Sequence, residues 1–267
     1  MTIAQLSQLL PFLESLGVRP KKTLSQNFLI DPNIVRKIVE LSHIEPGDYV
    51  LEIGSGPGAL TEELLKRGAY VTAIEKDTSF ARELDRFQNG NLTVIEEDIL
   101  AFDWTMLEDR PWKIIGNLPY HITTPIIETV CQNKAVSFTF MLQKELAERI
   151  IAPPGSKECG CISVFVHSHA LVSGSFHVSN TCFYPKPNVD STVLSLQFHK
   201  EKDPESLFTF VRTAFQQRRK MITSSLRRLF PQERIKEALL FAKAPITARP
   251  ETLTLGQWRT LFQILST

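Results

Sequence analysis

The stretch that most restricts how this chain can fold runs from residue 49 to residue 66. There the apolar run Tyr49-Val50-Leu51-Glu52-Ile53 passes into Gly54-Ser55-Gly56-Pro57-Gly58, and Ala59, Leu60, Leu64 and Leu65 follow at helical spacing. A β-rich run, three glycines within five residues and an immediate helical pattern predict a strand that turns sharply into a helix N-terminus. Glycine supplies the left-handed torsions of such a turn and lets backbone approach a ligand closely. The unit then repeats. Residues 70–74, 92–95, 112–115 and 137–142 read as further buried strands, and residues 59–66, 79–87, 125–131 and 144–151 as helices between and after them. Strand–helix alternation at this spacing predicts an α/β, Rossmann-like fold with a parallel sheet covered on both faces, whose ligands bind at the carboxyl ends of the strands.

After Ala152-Pro153-Pro154-Gly155, residues 162–172 and 191–198 read as strands that complete the sheet, partly antiparallel. Past Lys202-Asp203-Pro204 the pattern is helical throughout, over 207–216, 221–229, 233–241 and 255–265. Charge changes sign at the same place. The formal total of +1 hides 19 basic and 25 acidic residues before residue 205, against 11 basic and 4 acidic from residue 205 onward. These shifts divide the chain into a ligand-binding domain, 1–204, and a small all-helical basic domain, 205–267, and the asymmetry points to a polyanion partner at one end.

Ile3, Leu6, Leu9, Leu10 and Leu13 form an amphipathic N-terminal helix with no preceding basic residue, which is not a signal peptide. No apolar run approaches the roughly 20 residues that span a bilayer. Cys131, Cys159, Cys161 and Cys182 are too sparse for a disulfide framework. The expected location is the cytoplasm, with no membrane association.

The glycine loop alone is ambiguous. Gly54-x-Gly56-x-x-Ala59 fits a dinucleotide fingerprint, and Gly54-x-Gly56-x-Gly58 fits the nucleoside loop of enzymes that use S-adenosylmethionine (SAM). Glu75, at the end of the second strand, can accept both hydroxyls of a ribose in either class. Asp98, after the third strand, can accept from an adenine amino group, for which dinucleotide enzymes have no common need. The fourth strand then ends in Asn117-Leu118-Pro119-Tyr120. An amino nitrogen conjugated to a purine is a poor nucleophile, because its lone pair is delocalised into the ring. Two carbonyls, the side chain of Asn117 and the backbone of Leu118, can hold that nitrogen pyramidal with its lone pair facing an electrophile. Pro119 stiffens the turn, and Tyr120 offers a flat face to the base.

With these residues in view, the sequence resembles the KsgA-type ribosomal RNA adenine dimethyltransferases over nearly its whole length. The likeness runs through Ser25-Gln26-Asn27-Phe28-Leu29, residues 52–61, Asn117–Tyr120, the segment Phe183-Tyr184-Pro185-Lys186-Pro187-Asn188-Val189-Asp190-Ser191, and Phe215-Gln216-Gln217-Arg218-Arg219-Lys220. Ser25 stands where the family often has Gly, and Ser55 where Pro is common. The resemblance implies that SAM is the cofactor, contacted by Asn27, Leu29, Gly54, Glu75, Asp98 and Asn117. It also implies that Asn117, Leu118 and Tyr120 hold the target adenine and that Phe183 faces Tyr120 across the flipped base. The implied reaction is dimethylation at N6 of two adjacent adenosines near the 3′ end of small-subunit (16S) ribosomal RNA, consuming four SAM per RNA. The implied partner is that RNA within a pre-30S particle, with a role in small-subunit biogenesis and the enzyme acting as a monomer.

Two other readings stay open at this point. One is a dinucleotide oxidoreductase, and the other is an assembly factor that binds RNA without turnover. Large-subunit resistance methyltransferases share the catalytic domain, but Phe215–Lys220 and Val189-Asp190-Ser191 favour the small-subunit enzyme.

Arg212, Arg218, Arg219, Lys220, Arg227 and Arg228 recur at helix-compatible intervals and predict a basic helical face for phosphates. Arg19, Lys21 and Lys22 are expected to add charge near the mouth of the site. His167 and His169 lie two apart on an expected strand near Cys159 and Cys161, but Cys-x-Cys without a second pair is not a zinc pattern, so no metal is assigned. His121 adjoins Tyr120, although the chemistry does not require it.

Overall fold

The structure is a computed structural model that describes residues 2–87, 90–107, 109–133 and 135–266, with only the backbone of Lys22. Its elements in chain order begin with helix α1 (Leu6–Ser15), strand β1 (Phe28–Leu29) and helix α2 (Pro32–Leu41). Next come β2 (Tyr49–Ile53), α3 (Ala59–Lys66), β3 (Tyr70–Glu75), α4 (Thr78–Glu83), β4 (Leu92–Glu96), β5 (Lys113–Asn117) and α5 (Thr123–Gln132). They are followed by β6 (Ser137–Gln143), α6 (Lys144–Ile151), α7 (Cys161–His169), β7 (Ala170–Val178), β8 (Phe183–Tyr184) and β9 (Ser191–Phe198). Helices α8 (Glu205–Phe215), α9 (Ile222–Ser225), α10 (Gln232–Phe241) and α11 (Leu255–Ser266) end the chain.

Seven strands form one sheet in the order β4-β3-β2-β5-β6-β9-β7, and β1 pairs with β8 in a separate two-stranded sheet. Strands β4, β3, β2, β5 and β6 run parallel, whereas β9 joins β6 antiparallel. The order reverses beside β2: the chain steps outward to β3 and β4, then returns to the other side of β2 as β5. A crevice opens at the carboxyl ends of the strands at such a switch point. Val50, Leu51 and Ile53 of β2 are all buried, as expected where helices cover both faces of a parallel sheet. Val35, Ile38 and Val39 of α2 and Leu60 and Leu64 of α3 pack with Val50, Val71 and Ile115 of the sheet in one apolar core.

Helix α2 is not marked by the periodicities above. Its signal is the pair Asp31-Pro32: the Asp31 carboxylate caps the first turn by accepting from the Asn33 N–H at 2.8 Å, and Pro32 stands at the first helical position.

Two compact units account for the chain, residues 1–147 with 172–198, and residues 148–171 with 199–267. The helical unit thus takes in 148–171 besides the basic tail. Its core gathers Phe210 and Val211 of α8, Ile235 and Leu239 of α10, and Trp258 and Leu261 of α11.

Two sequence expectations are corrected here. Residues 162–172 are not a strand: 161–169 form α7, and β7 starts only at Ala170. Alternating Ile162, Val164 and Val166 mimic a strand, but local hydrogen bonds and tertiary burial override that period. Ser163 Oγ accepts from the Gly160 N–H at 2.9 Å, donates to the Arg149 carbonyl at 2.5 Å, and so pins the first turn. Phe165 and His169, one helical turn apart, both pack on Phe208, at 4.7 and 4.9 Å between ring centroids. His169 Nδ1 lies 2.9 Å from the Phe165 carbonyl, so it is a packed core histidine.

The second correction concerns the basic stretch. Helix α8 ends at Phe215, and α9 spans only Ile222–Ser225, so Arg218, Arg219, Lys220, Arg227 and Arg228 lie on turns that flank α9 and not along one helical face.

A candidate nucleoside and adenine site

The two central strands carry the site. Register pairs Ile53 of β2 with Gly116 of β5, which sets Gly54 beside Asn117, and a Cβ built on Gly54 would lie 3.7 Å from the Asn117 carbonyl oxygen. The loop stays tight because Gly58 takes φ +86° and tolerates no side chain: a Cβ there would meet Phe87 Cε2 at 2.5 Å. Around this loop lies a cleft with about 1070 Å³ of empty space, part of it open to solvent. Every predicted cofactor residue lines it, namely Asn27, Leu29, Gly54, Glu75, Asp98 and Asn117, together with Leu118, Pro119 and Tyr120.

Glu75 is 7% exposed. Its Oε2 accepts from the Gly56 N–H and its Oε1 from the Asp77 N–H, each at 2.7 Å, so one carboxylate fastens the glycine loop to the end of β3. Burial raises its pKa, and the backbone N–H donors from Asp77 and Gly56 act against that rise. Asp98 lies two residues beyond β4. Lys76 Nζ donates to its Oδ2 at 2.7 Å and holds its carboxyl below the usual range, with the Leu100 N–H on Oδ1 adding to the effect. Asp98 is therefore an anion at neutral pH, fixed as an acceptor at the cleft wall.

The N-terminal motif reaches the catalytic turn through backbone. Asn117 Nδ2 donates to the Asn27 carbonyl at 3.0 Å, which commits the amide nitrogen to β1's approach and directs Oδ1 away from it. Asn27 in turn donates through Nδ2 to the Ser25 carbonyl at 3.0 Å. Ser25 sits at φ +51°, in the left-handed region that favours glycine, which accounts for the glycine common at this place in the family. Its hydroxyl gains a contact that glycine cannot make, 2.8 Å to His121 Nδ1. The loop below is fastened by Asp77, which accepts from Gln26 Nε2 at 2.8 Å and pairs with Lys21 Nζ at 2.9 Å. Lys21 therefore braces the motif and is not part of the cleft lining; the side chain of Lys22 lies outside the described residues.

At the turn itself, Pro119 has φ −61°, and its carbonyl accepts from the Ile122 N–H at 3.1 Å and the Thr123 hydroxyl at 3.0 Å. The Leu118 N–H is bound to the Met141 carbonyl at 3.3 Å, so the peptide is held on both sides of the Leu118 carbonyl. Tyr120 Oη lies 2.7 Å from Ser191 Oγ, fixing the ring from its far end. Phe183 is placed differently from the other predicted site residues. It is 2% exposed, lies opposite Leu29 in the β1–β8 pair, belongs to the apolar core and is absent from the cleft lining.

The chain matches the family model described as ribosomal RNA adenine dimethylase over residues 17–267. It belongs to that family. Among curated relatives, "Ribosomal RNA small subunit methyltransferase A" of Protochlamydia amoebophila is 44% identical, over 99% of this chain and 98% of the relative. The protein of the same name from Chlamydia trachomatis serovar L2 is 41% identical, over 99% of each chain. Among solved structures, the 23S rRNA methyltransferase ErmE superposes with a TM-score of 0.69 at 26% identity, covering 90% of this chain and all of that one. A dimethyladenosine transferase from Plasmodium falciparum gives 0.73 at 22% identity, over 90% and 98%, and supports the fold. This family member is thus a ribosomal RNA methyltransferase by descent, with its glycine loop, two carboxylates and Asn117 turn gathered in one cleft.

A second concavity lies within the helical unit, lined by Lys157, Arg218, Arg219 and Arg249 beside Glu251. Arg218 donates to the Lys157 carbonyl, and the Gly155 N–H donates to the Glu251 carbonyl at 2.7 Å, so three separate segments converge there. Lys157 and Arg249 carry no signal as lone basic residues in the sequence; only the tertiary fold sets them beside Arg218. Among the described residues no group of three or more His, Cys, Asp or Glu side chains is arranged to hold a metal, and no helix is long and apolar enough to cross a membrane.

Proposed function

We propose that this methyltransferase transfers methyl groups from SAM to N6 of two adjacent adenosines in a hairpin near the 3′ end of small-subunit ribosomal RNA. The observation that carries the reading is the committed amide of Asn117. With Nδ2 given to the Asn27 carbonyl, Oδ1 is an acceptor beside the Leu118 carbonyl in the wall of a cleft that also holds Glu75 and Asp98.

The residues present fit a nucleoside with a cationic tail. Gly54 leaves room beside Asn117, Glu75 and Asp98 offer carboxylates for hydroxyl and amino donors, and Glu52 and Glu97 add further carboxyl groups to the lining. Asn27 and Leu29 close the cleft from the N-terminal side. When bound, SAM supplies an electrophilic methyl group on a sulfonium sulfur. The protein's part is positioning: Asn117 Oδ1 and the Leu118 carbonyl accept the two N–H groups of the adenine amine and turn its lone pair outward. No strong base is required before attack, since the nitrogen becomes acidic only once it is alkylated. Tyr120, held by Ser191, gives the extruded base a stacking surface worth ~1–3 kcal/mol, which offsets part of the few kcal/mol of unstacking. After the first transfer one N–H remains, and Asn117 retains it through the second.

Residues 205–267, with the basic concavity around Arg218, Arg219 and Arg249, bind RNA phosphates and set the orientation of the hairpin. The enzyme works as a monomer in the cytoplasm on a pre-30S particle. Small-subunit RNA is preferred over large-subunit RNA because the relatives at 41–44% identity carry the small-subunit name, against 26% for ErmE. Incubation with methyl-labelled SAM and either unmethylated small subunits or large subunits, followed by mapping of methyladenosines, tests this. Label on paired adenosines of the small-subunit RNA is the expected result; label on large-subunit RNA alone, or none, overturns it.

A further inference from the structure

Helix α1 precedes the part of the chain that matches the family, which begins at residue 17. Its Leu9 and Leu13 are buried against Phe28 of β1 and Phe80 of α4. The Thr2 hydroxyl donates to Glu62 Oε2 of α3 at 2.9 Å. A third contact leads to the glycine loop. Arg86 stands in the single helical turn Leu84–Phe87 that follows α4, and its guanidinium lies over two rings, 4.7 Å from the centroid of Phe12 of α1 and 4.1 Å from that of Phe87. Its Nη1 donates to the Glu83 carbonyl at 2.6 Å, and its Nη2 donates to the carbonyl of Pro57. A guanidinium is planar and carries its donors in a fixed fork, so rings that set its plane also set the direction of its hydrogen bonds.

Pro57 lines the cleft, and the peptide that joins it to Gly58 is held at both ends. Arg86 binds the carbonyl oxygen, while the Gly58 N–H donates to the Ser55 carbonyl at 2.9 Å. Leu84 and Phe87 of the same turn fill the space where a side chain at residue 58 would stand, and Glu75 fixes the Gly56 N–H. Of these fastenings, the Arg86 bond is the one that reaches α1.

We propose that Arg86 is a positioning residue of the cleft: oriented by Phe12, it commits the Pro57 carbonyl and holds the glycine loop in its ligand-accepting form, which makes helix α1 a brace that sets cofactor affinity. This rests on the reading that the cofactor is SAM. A loop already held in its bound shape loses less freedom on binding, so the effect falls on affinity. The catalytic turn is fastened separately, Asn117 to the Asn27 carbonyl, Leu118 to the Met141 carbonyl and Tyr120 to Ser191, so the transfer step itself is not touched.

The test is SAM affinity by isothermal titration calorimetry, with kcat and KM for SAM on unmethylated small subunits, in Arg86→Met, Arg86→Lys, Phe12→Leu and the double variant of Arg86→Met with Phe12→Leu. Arg86→Met keeps an apolar stem and removes the donors; loss of one charge-assisted hydrogen bond should raise Kd and KM about 10-fold and leave kcat at saturating SAM unchanged. Arg86→Lys keeps a cation that can serve one carbonyl and should recover part of that loss. Phe12→Leu keeps an apolar side chain in the α1 packing but removes the ring, and should raise Kd about 3-fold. In the double variant the Phe12→Leu effect should vanish, because no guanidinium is left to orient. Unchanged Kd in Arg86→Met, a fall in kcat with Kd and KM unchanged, as a smaller folded fraction alone would give, or an undiminished Phe12→Leu effect in the double variant refutes the proposal and leaves the methyltransferase reading standing. Should Arg86→Met fail to fold, Arg86→Lys and Phe12→Leu decide, since each must raise Kd. Failure of the wild-type protein to bind SAM overturns that reading together with this one.

Discussion

Replacing Asn117 by Asp is the sharpest perturbation of the site, because it keeps the size of the side chain and an acceptor oxygen while removing one donor. In the structure that donor, Nδ2, is committed to the Asn27 carbonyl at 3.0 Å. Aspartate would leave this carbonyl unsatisfied in a half-buried position and set a carboxylate oxygen against it. An unsatisfied buried polar group costs about 1–3 kcal/mol. At about 1.4 kcal/mol per factor of ten, the loss is roughly 5- to 150-fold in the population of the competent geometry. Methyl transfer to unmethylated small subunits should fall by at least this factor, and SAM affinity by a similar or smaller one, since Asn27 and Asn117 both line the cofactor cleft. The melting transition should hardly change, because neither residue belongs to the apolar core. Asn117→Ala should abolish both methylations and leave a folded protein. Full dimethylation by Asn117→Asp at wild-type rate, with unchanged SAM affinity, would refute the claim that the amide is oriented through Asn27.

Gly58→Ala should destabilise the protein by about 1–3 kcal/mol in denaturant titration, because a Cβ at φ +86° would stand 2.5 Å from Phe87 Cε2. Phe183→Ala should cost about 3–5 kcal/mol as a core truncation, whereas Phe183→Leu should keep the fold and show in methylation rate whether the ring itself matters. Since Lys76 holds the Asp98 carboxyl low, Asp98 keeps its charge as pH falls through the usual carboxylate range; in Lys76→Met, adenosine binding followed by NMR should be lost at higher pH than in the wild type. Glu52 has the opposite sign. Its carboxyl is raised, so the folded state binds the extra proton between about 4.5 and about 7 and stability declines as pH rises through that window, a slope that thermal melts should find reduced in Glu52→Gln. Charge removal at Arg219 and Lys220 together should reduce the slope of log RNA affinity against log salt by about 1.4–1.8 and leave SAM binding unchanged, since neither lines the cofactor cleft.

The parallel part of the sheet, the glycine turn and the acids that follow successive strands were legible because each depends on local chemistry. Buried parallel strands are continuous apolar runs, turns of this tightness need glycine, and a side chain at a strand end must lie at the sheet's rim. That is why Gly54, Glu75, Asp98 and Asn117, spread over more than sixty residues, could be assigned to one cleft from order alone. Decisions left to the tertiary structure are those in which distant residues set the outcome. The period of Ile162, Val164 and Val166 is that of a strand, yet the Arg149 carbonyl and Phe208 draw this segment into α7. Phe183 carries the motif of a site residue, but pairing of β8 with β1 buries it in the core. Lys157 and Arg249 are unremarkable until folding brings them to Arg218. Glu52 reads as one polar residue in an apolar strand, and only folding buries it and sets the Thr61 hydroxyl on its Oε2. Sequence specifies what each residue prefers within a turn or a strand; partners far along the chain, and the low dielectric they create together, decide which preferences are met and which charges survive.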